Sequence, residues 1–141
     1  MKIKDNYPVF VTKQLTETKN YYVDVLQFDV AFESTWFVLL QIKGEHPHFI
    51  AFMDEQHPTS PPSMPAMDAK SGVFLTLEVA DANAAYEKFI AAGREVYYHL
   101  KEEQWGQKRF GLIDPNGMYI DIVEQIEPEE GYWDQYMSIA R

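Results

Sequence analysis

The 141-residue chain contains no cysteine. That excludes a disulfide scaffold, a thiolate nucleophile and any cysteine-based zinc or iron–sulfur site. Basic residues are scarce, with 12 lysines and arginines against 22 acids and a net charge of −10. A nucleic-acid partner needs basic surface to neutralise phosphates and is not expected here. The acidity serves solubility or attracts a cationic ligand. No apolar run approaches the roughly 20 residues that span a bilayer, so no membrane partner is expected. Residues 1–5 place no apolar core behind their lysines, and the expected location is the cytoplasm. The seven glycines are scattered and form no phosphate loop, and there is no G-x-S-x-G.

What is present suffices for a core. Hydrophobic residues make up 46% of the chain, and its length fits one domain of roughly 150 residues. Residues 8–11 form a short β-prone run. From Leu15 the period changes: Leu15, Thr18, Tyr22, Val25 and Leu26 recur at helical steps, behind only a weak cap at Gln14 or Thr16. Strand-like runs follow at 28–33, 36–42 and 49–53. The stretch 57–71 holds four of the eight prolines and reads as a linker. The order then repeats. A strand at 73–79 precedes a helix capped by Asp81, carrying Ala82, Ala85, Tyr86, Phe89 and Ile90 and stopped by Gly93. Strands are expected at 95–101, 108–113 and 118–124, with a tight turn at Asp114-Pro115-Asn116-Gly117.

Sliding the halves by about 67 residues superimposes Gln14 on Asp81, Tyr22 on Phe89 and Val30 on Tyr97. The expected fold is α+β: two tandem βαβββ modules whose sheets make a half-barrel with a central cleft. Module one spans about 7–56, the linker 57–71, module two 72–125 and a C-terminal tail 126–141, all within one domain.

This pattern resembles the vicinal-oxygen-chelate superfamily, which includes glyoxalase I, bleomycin-resistance proteins, fosfomycin-resistance proteins and extradiol dioxygenases. Residues 16–28 carry part of the likeness, with a helix running through Tyr-Tyr into Val-Leu-x-Phe, as do residues 74–93. The sharpest part is W-G-Q-K-R-F-G-L-I-D-P-N-G-M-Y-I-D-I-V-E at 105–124. The resemblance covers about residues 7–125. It implies that a divalent ion, where one is bound, is held at four strand positions. Those fall here on Tyr7, Ala51, Phe74 and Asp121. Alanine and phenylalanine cannot coordinate, so no metal and no cofactor is expected. The closest likeness in character is to metal-free bleomycin-resistance proteins.

The histidines add no motif. His46 and His48 could share a strand face but have no third ligand, while His57 falls in the linker and His99 in a strand. Strand alternation sends Tyr7, Val9 and Val11 to the cleft. It also sends Phe49, Ala51 and Met53, then Phe74, Thr76 and Glu78, then Tyr119, Asp121 and Val123. Ile120 and Ile122 then pack beneath the helices. The candidate ligand-binding residues are Tyr7, Phe49, Phe74, Glu78, Trp105, Tyr119 and Asp121; no catalytic residue is assigned. Phe74 either fills space or touches the ligand. Asp121 pairs with Arg109, Lys108 or a ligand cation. The tail brings Tyr132, Trp133, Tyr136, Met137 and Ile139 to helical spacing, for packing on a partner subunit or over the cleft mouth.

The expected function is sequestration of an aromatic small molecule, cationic or neutral, by a homodimer. The alternative is an enzyme of the same superfamily acting on a small metabolite, as lyase, isomerase or dioxygenase. A regulatory module without turnover is a third possibility.

Overall fold

The computed structural model describes residues 1–59 and 65–137. Pro61, Pro62 and Ile139, which entered the linker and tail readings, lie outside them. Two compact units emerge. The first holds residues 1–71 together with 114–116, and the second holds 72–113 and 117 onward.

In the first unit the strands are β1 (Val9–Thr12), β2 (Asp29–Glu33), β3 (Phe37–Ile42) and β4 (His48–Asp54), with helix α1 over Leu15–Asp24. The sheet order is β1-β4-β3-β2. The β1–β4 pair is parallel, with Val9 opposite Ala51, and the other pairs are antiparallel. Helix α1 stops two residues short of the periodic stripe, because Gln27 adopts φ +60 and the Phe28 N–H returns to the Tyr22 carbonyl. Val25 and Leu26 therefore lie beyond the helix. Its N-cap Gln14 makes no side-chain cap.

Tyr22 anchors this core. Fully buried, its ring lies 4.8 Å from Phe52 and 5.6 Å from Phe28. A buried hydroxyl needs a partner, and the Tyr22 hydroxyl donates to Asp114 Oδ2 at 2.9 Å. Asp114 also accepts the Asn116 N–H at 2.8 Å, closing the turn. Asn116 in turn accepts from Thr12 Oγ1 at 2.6 Å and donates to Thr18 Oγ1 at 3.0 Å. These bonds explain why residues 114–116 group with the first unit.

The second unit contains β5 (Phe74–Glu78), α2 (Ala82–Ala91), β6 (Tyr98–Glu103), β7 (Gln107–Ile113), β8 (Tyr119–Gln125) and the short α3 (Asp134–Met137). Its order, β5-β8-β7-β6, repeats the first sheet's topology. The architecture is thus α+β: two four-stranded mixed sheets, each built as βαβββ. Asp81 caps α2 by accepting the Ala84 N–H, and Glu124 Oε1 takes the Ala82 N–H at 2.9 Å. A capping side chain of this kind contributes about 1 kcal/mol.

At the other end of α2, Gly93 takes φ +69, and the Gly93 and Arg94 N–H groups return to Ile90 and Phe89. This wrapped end delays the next strand, so β6 begins at Tyr98 rather than at 95, and it runs to Glu103. Ile90, placed by periodicity on the packed stripe, is instead 47% exposed. Helix α2 packs through Tyr86 and Phe89, whose rings lie 5.4 and 5.6 Å from Phe110. Ile122 stands opposite Phe110 in the ladder, and Ile120 and Ile122 are buried as expected.

A candidate ligand-binding face on the second sheet

The face of this sheet that carries Asp121 also carries the chemistry. Registers set Phe74 beside Tyr119, Thr76 beside Asp121 and Glu78 beside Val123. From β7 they bring Gly111 beside Asp121 and Arg109 beside Val123. Arg109 is the hub. Its Nε donates to Glu103 Oε2 at 2.8 Å and its Nη1 to Asp121 Oδ2 at 3.3 Å. Two tyrosines back the carboxylates: Tyr98 donates to Glu103 at 2.9 Å and Tyr119 to Asp121 at 3.4 Å. The guanidinium carbon also lies 5.2 Å from the Tyr98 ring centroid and 5.0 Å from that of Trp105. At this range a ring face attracts a cation.

The two carboxyls respond differently to one arginine. For Glu103, burial raises the proton affinity. Hydrogen bonds from Arg109 and Tyr98 outweigh it and hold the carboxyl below the usual range. Lys101 assists from 3.8 Å. For Asp121, burial dominates, and the longer bonds from Arg109 and Tyr119 do not offset it, so its carboxyl stays above the usual range. Burial and the neighbouring Asp121 push the Tyr119 hydroxyl up to about 12.

Beside this network lies an aromatic surface. Tyr119 meets Phe74 edge to face at 6.0 Å and Tyr97 at 6.1 Å. Phe74 is 59% exposed and Tyr97 68% exposed. Of the expected site residues, Phe74, Tyr119, Asp121 and Trp105 are thus linked by ring contacts and by Arg109. Glu78 is exposed on the same face. Tyr7 and Phe49 belong to the first unit: Tyr7 is exposed ahead of β1, and Phe49 is half-buried on β4 opposite Gln41. Of the possible partners for Asp121, Arg109 is the one observed, and Lys108 pairs with Glu102 instead. Phe74 is no core filler, being more than half exposed. Sequence reading missed Glu103, Tyr98 and Tyr97. An alternation of Arg109 with Gly111, opposite Asp121, was the available signal for the hub, but the bulge between Tyr98 and Lys101 disguises how β6 is aligned.

The donor set does not fit a divalent metal. Ala51 and Phe74 carry no donor atom, and the Asp121 oxygens already accept from Arg109 and Tyr119. Among the described residues no three histidine, aspartate or glutamate side chains converge as a metal set.

Among the described residues the tail packs, through residue 133, within its own unit, on the β6–β7 turn. The Ile126 N–H donates to the Gly106 carbonyl at 2.8 Å, and the Glu129 N–H to that of Gln104 at 2.9 Å. Trp133 Nε1 donates to the Trp105 carbonyl at 2.9 Å, and the Tyr132 ring lies 6.5 Å from that of Trp105.

A hollow of about 540 Å³ lies in the first unit, lined by Thr12, Lys13, Gln14, Met67, Lys70 and Asn116 among others. None of the expected site residues lines it. Its amides and hydroxyl are already bonded to one another and to the Pro115 carbonyl.

Several solved structures share the fold. A glyoxalase/bleomycin resistance protein/dioxygenase from Nocardioides superimposes with a TM-score of 0.72 at 20% identity, over 93% of this chain and 89% of that one. A protein of unknown function from Agrobacterium tumefaciens strain C58 gives 0.67 at 23% identity, over 89% and 97%. A lactoylglutathione lyase from Agrobacterium tumefaciens gives 0.65 at 15%, over 88% and 96%. No curated protein sequence matches the chain. No helix among the described residues is long and apolar enough to cross a membrane. The glyoxalase-like domain model matches residues 6–127, and with both βαβββ halves in place the chain belongs to the glyoxalase-like domain family, within the vicinal-oxygen-chelate superfamily.

Proposed function

We propose that the protein is a metal-free small-molecule binder that holds a flat, uncharged aromatic ligand against Phe74, Tyr97 and Tyr119. One observation carries this reading: Arg109 pairs with both Glu103 and Asp121, and Lys101 adds the second positive charge beside Glu103, leaving exposed rings beside a charge-balanced network. The sequence left room for a cationic ligand drawn to Asp121. With Arg109 turned inward, that attraction is spent, and Glu78 alone is left to favour a cation. An anion meets two carboxylates and an arginine whose bonds to them it must break. Stacking on a well-placed ring contributes about 0.5–1.5 kcal/mol beyond the area buried.

Sequestration without turnover is the reading that fits, since two of the four positions of the superfamily's metal set, Ala51 and Phe74, lack donors and the Asp121 oxygens already accept from Arg109 and Tyr119. The superfamily's proteins support small-molecule binding as the role. A homodimer accompanies it, supported by β2, a sheet-edge strand exposed along its whole length with Val30 and Phe32 open to solvent.

The test is calorimetric titration with 2-naphthol, 2-naphthoate and 2-naphthylmethylammonium. The neutral compound should bind most tightly, and Phe74→Ala should weaken it by about tenfold, the value of one lost ring contact plus its area. Tightest binding of either charged analogue, or no effect of Phe74→Ala, overturns the proposal.

A further inference from the structure

The family match ends at residue 127, yet the chain continues into a segment that is bonded to the site. Two contacts fasten that segment to the β6–β7 turn, the Glu129 N–H to Gln104 and Trp133 Nε1 to the Trp105 carbonyl, and the Ile126 N–H to Gly106, just inside the match, adds a third. The fit is close. Gly106 has φ +108, and a Cβ there would sit 2.9 Å from the Ile126 carbonyl oxygen and 3.2 Å from Pro128 N. Only glycine lets the segment pass. Tyr132 contacts the Trp105 indole, and that indole in turn contacts the Arg109 guanidinium at 5.0 Å. A continuous series of contacts thus runs from Trp133 and Tyr132 through Trp105 to Arg109 and on to Asp121.

We infer that Tyr132 and Trp133 are positioning residues for Arg109 and thereby set the charge selectivity of the aromatic site. The inference rests on the ligand-binding reading above. Its physical content is simple. An arginine held on one side by an indole has less freedom to leave its carboxylates. The indole keeps its own bond to Gln107 Oε1 at 2.9 Å. Without the Tyr132 ring against it, or without the Trp133 bond to the Trp105 carbonyl, the turn that carries it loosens, and Arg109 can turn to an incoming anion, with which a planar fork pairs well. Selection against anions then falls. The determinant lies outside the sheet that binds, in a segment beyond the family domain.

The test uses the full chain with two substitutions, Trp133→Phe, which keeps an aromatic ring and removes the Nε1–H donor, and Tyr132→Leu, which removes the ring against Trp105. Trp36→Phe, in the first unit, is the control. The first readout is hydrogen exchange of the Arg109 Nε–H, followed by nitrogen-resolved NMR. Both variants should exchange about tenfold faster or more, as expected for a local opening, and the control should not change. The second readout is the ratio of 2-naphthol to 2-naphthoate affinity, which should fall by about threefold or more in both variants, as Arg109 becomes available to the carboxylate. If Trp133→Phe does not fold, Tyr132→Leu decides alone. Unchanged Arg109 exchange in a folded variant overturns the inference, as does faster exchange with an unchanged affinity ratio. If wild-type protein binds neither naphthalene compound while Arg109 exchange accelerates, the positioning role stands and the ligand reading fails.

Discussion

The ring of Tyr119 occupies the space that a side chain at Gly111 would need. A Cβ built on Gly111 would overlap the Tyr119 hydroxyl and ring edge. The two residues sit on neighbouring antiparallel strands, with Gly111 opposite Asp121 and Tyr119 opposite Ile113. Diagonal neighbours on one face of a sheet approach closely enough for an aromatic to reach across. The missing side chain lets the Tyr119 ring lie over the β7 backbone, and this brings its hydroxyl to Asp121.

Gly111→Ala should therefore displace the Tyr119 ring. The expected cost is about 1–3 kcal/mol, typical of a methyl forced into a packed site. Urea denaturation measures it. The same variant should move the Tyr119 hydroxyl from about 12 down toward its ordinary 10, read by ultraviolet titration of tyrosinate.

Tyr22→Phe tests the other buried hydroxyl. It removes the donor to Asp114 and leaves a buried carboxylate short of one partner. Stability should fall by about 1–3 kcal/mol, the range for an acceptor deprived of its bond. Melting followed by circular dichroism checks it. Binding of an aromatic probe at Phe74 should persist in this variant.

The protein should lose stability in alkali. Tyr119 has a folded pKa above its unfolded one, so its contribution is complete below pH 10 and disappears as the pH rises through about 12. Tyr22, buried beside Asp114, is shifted the same way. Denaturation midpoints measured from pH 8 upward should decline over that window. Tyr22→Phe and Tyr119→Phe together should flatten the decline.

In acid, the two carboxyls on Arg109 act in opposite senses. Glu103 is lowered, so its stabilisation is present above its ordinary 4.5 and is lost as the pH falls through its folded value. Asp121 is raised, so protonating it relieves part of the cost of burying its charge as the pH falls. Glu103→Gln should make stability less sensitive to pH below 4.5, whereas Asp121→Asn should make the acid decline steeper. Opposite signs of these two changes in a pH series of urea midpoints would contradict the arrangement about Arg109.

A homodimer should show a mass twice the 16.4 kDa of one chain by light scattering at micromolar concentration. Charging the exposed strand with Phe32→Lys should shift the protein toward monomer. Monomer alone in the parent protein would remove β2 as an interface.

Much of the fold was legible in the sequence because it rests on local rules. Asp81 and Gly93 mark the ends of α2 through capping and left-handed geometry, which depend on a few neighbouring residues. The turn at Asp114–Gly117 follows from proline, an Asx hydrogen bond and a glycine at φ +85. The alternation on β5 and β8 put Phe74, Glu78, Tyr119 and Asp121 on one face because a strand has period two. Other features were beyond local rules. The late start of β6 depends on how the end of α2 wraps, and the bulge after Tyr98 depends on its pairing with β7. The choice of Arg109 over Lys108 as the partner of Asp121 also came from pairing: adjacent residues on a strand point to opposite faces, and only the register with β8 says which one meets the carboxylate. That register, set by interactions between distant segments, put an arginine between the carboxylates of a face that the sequence alone reads as acidic.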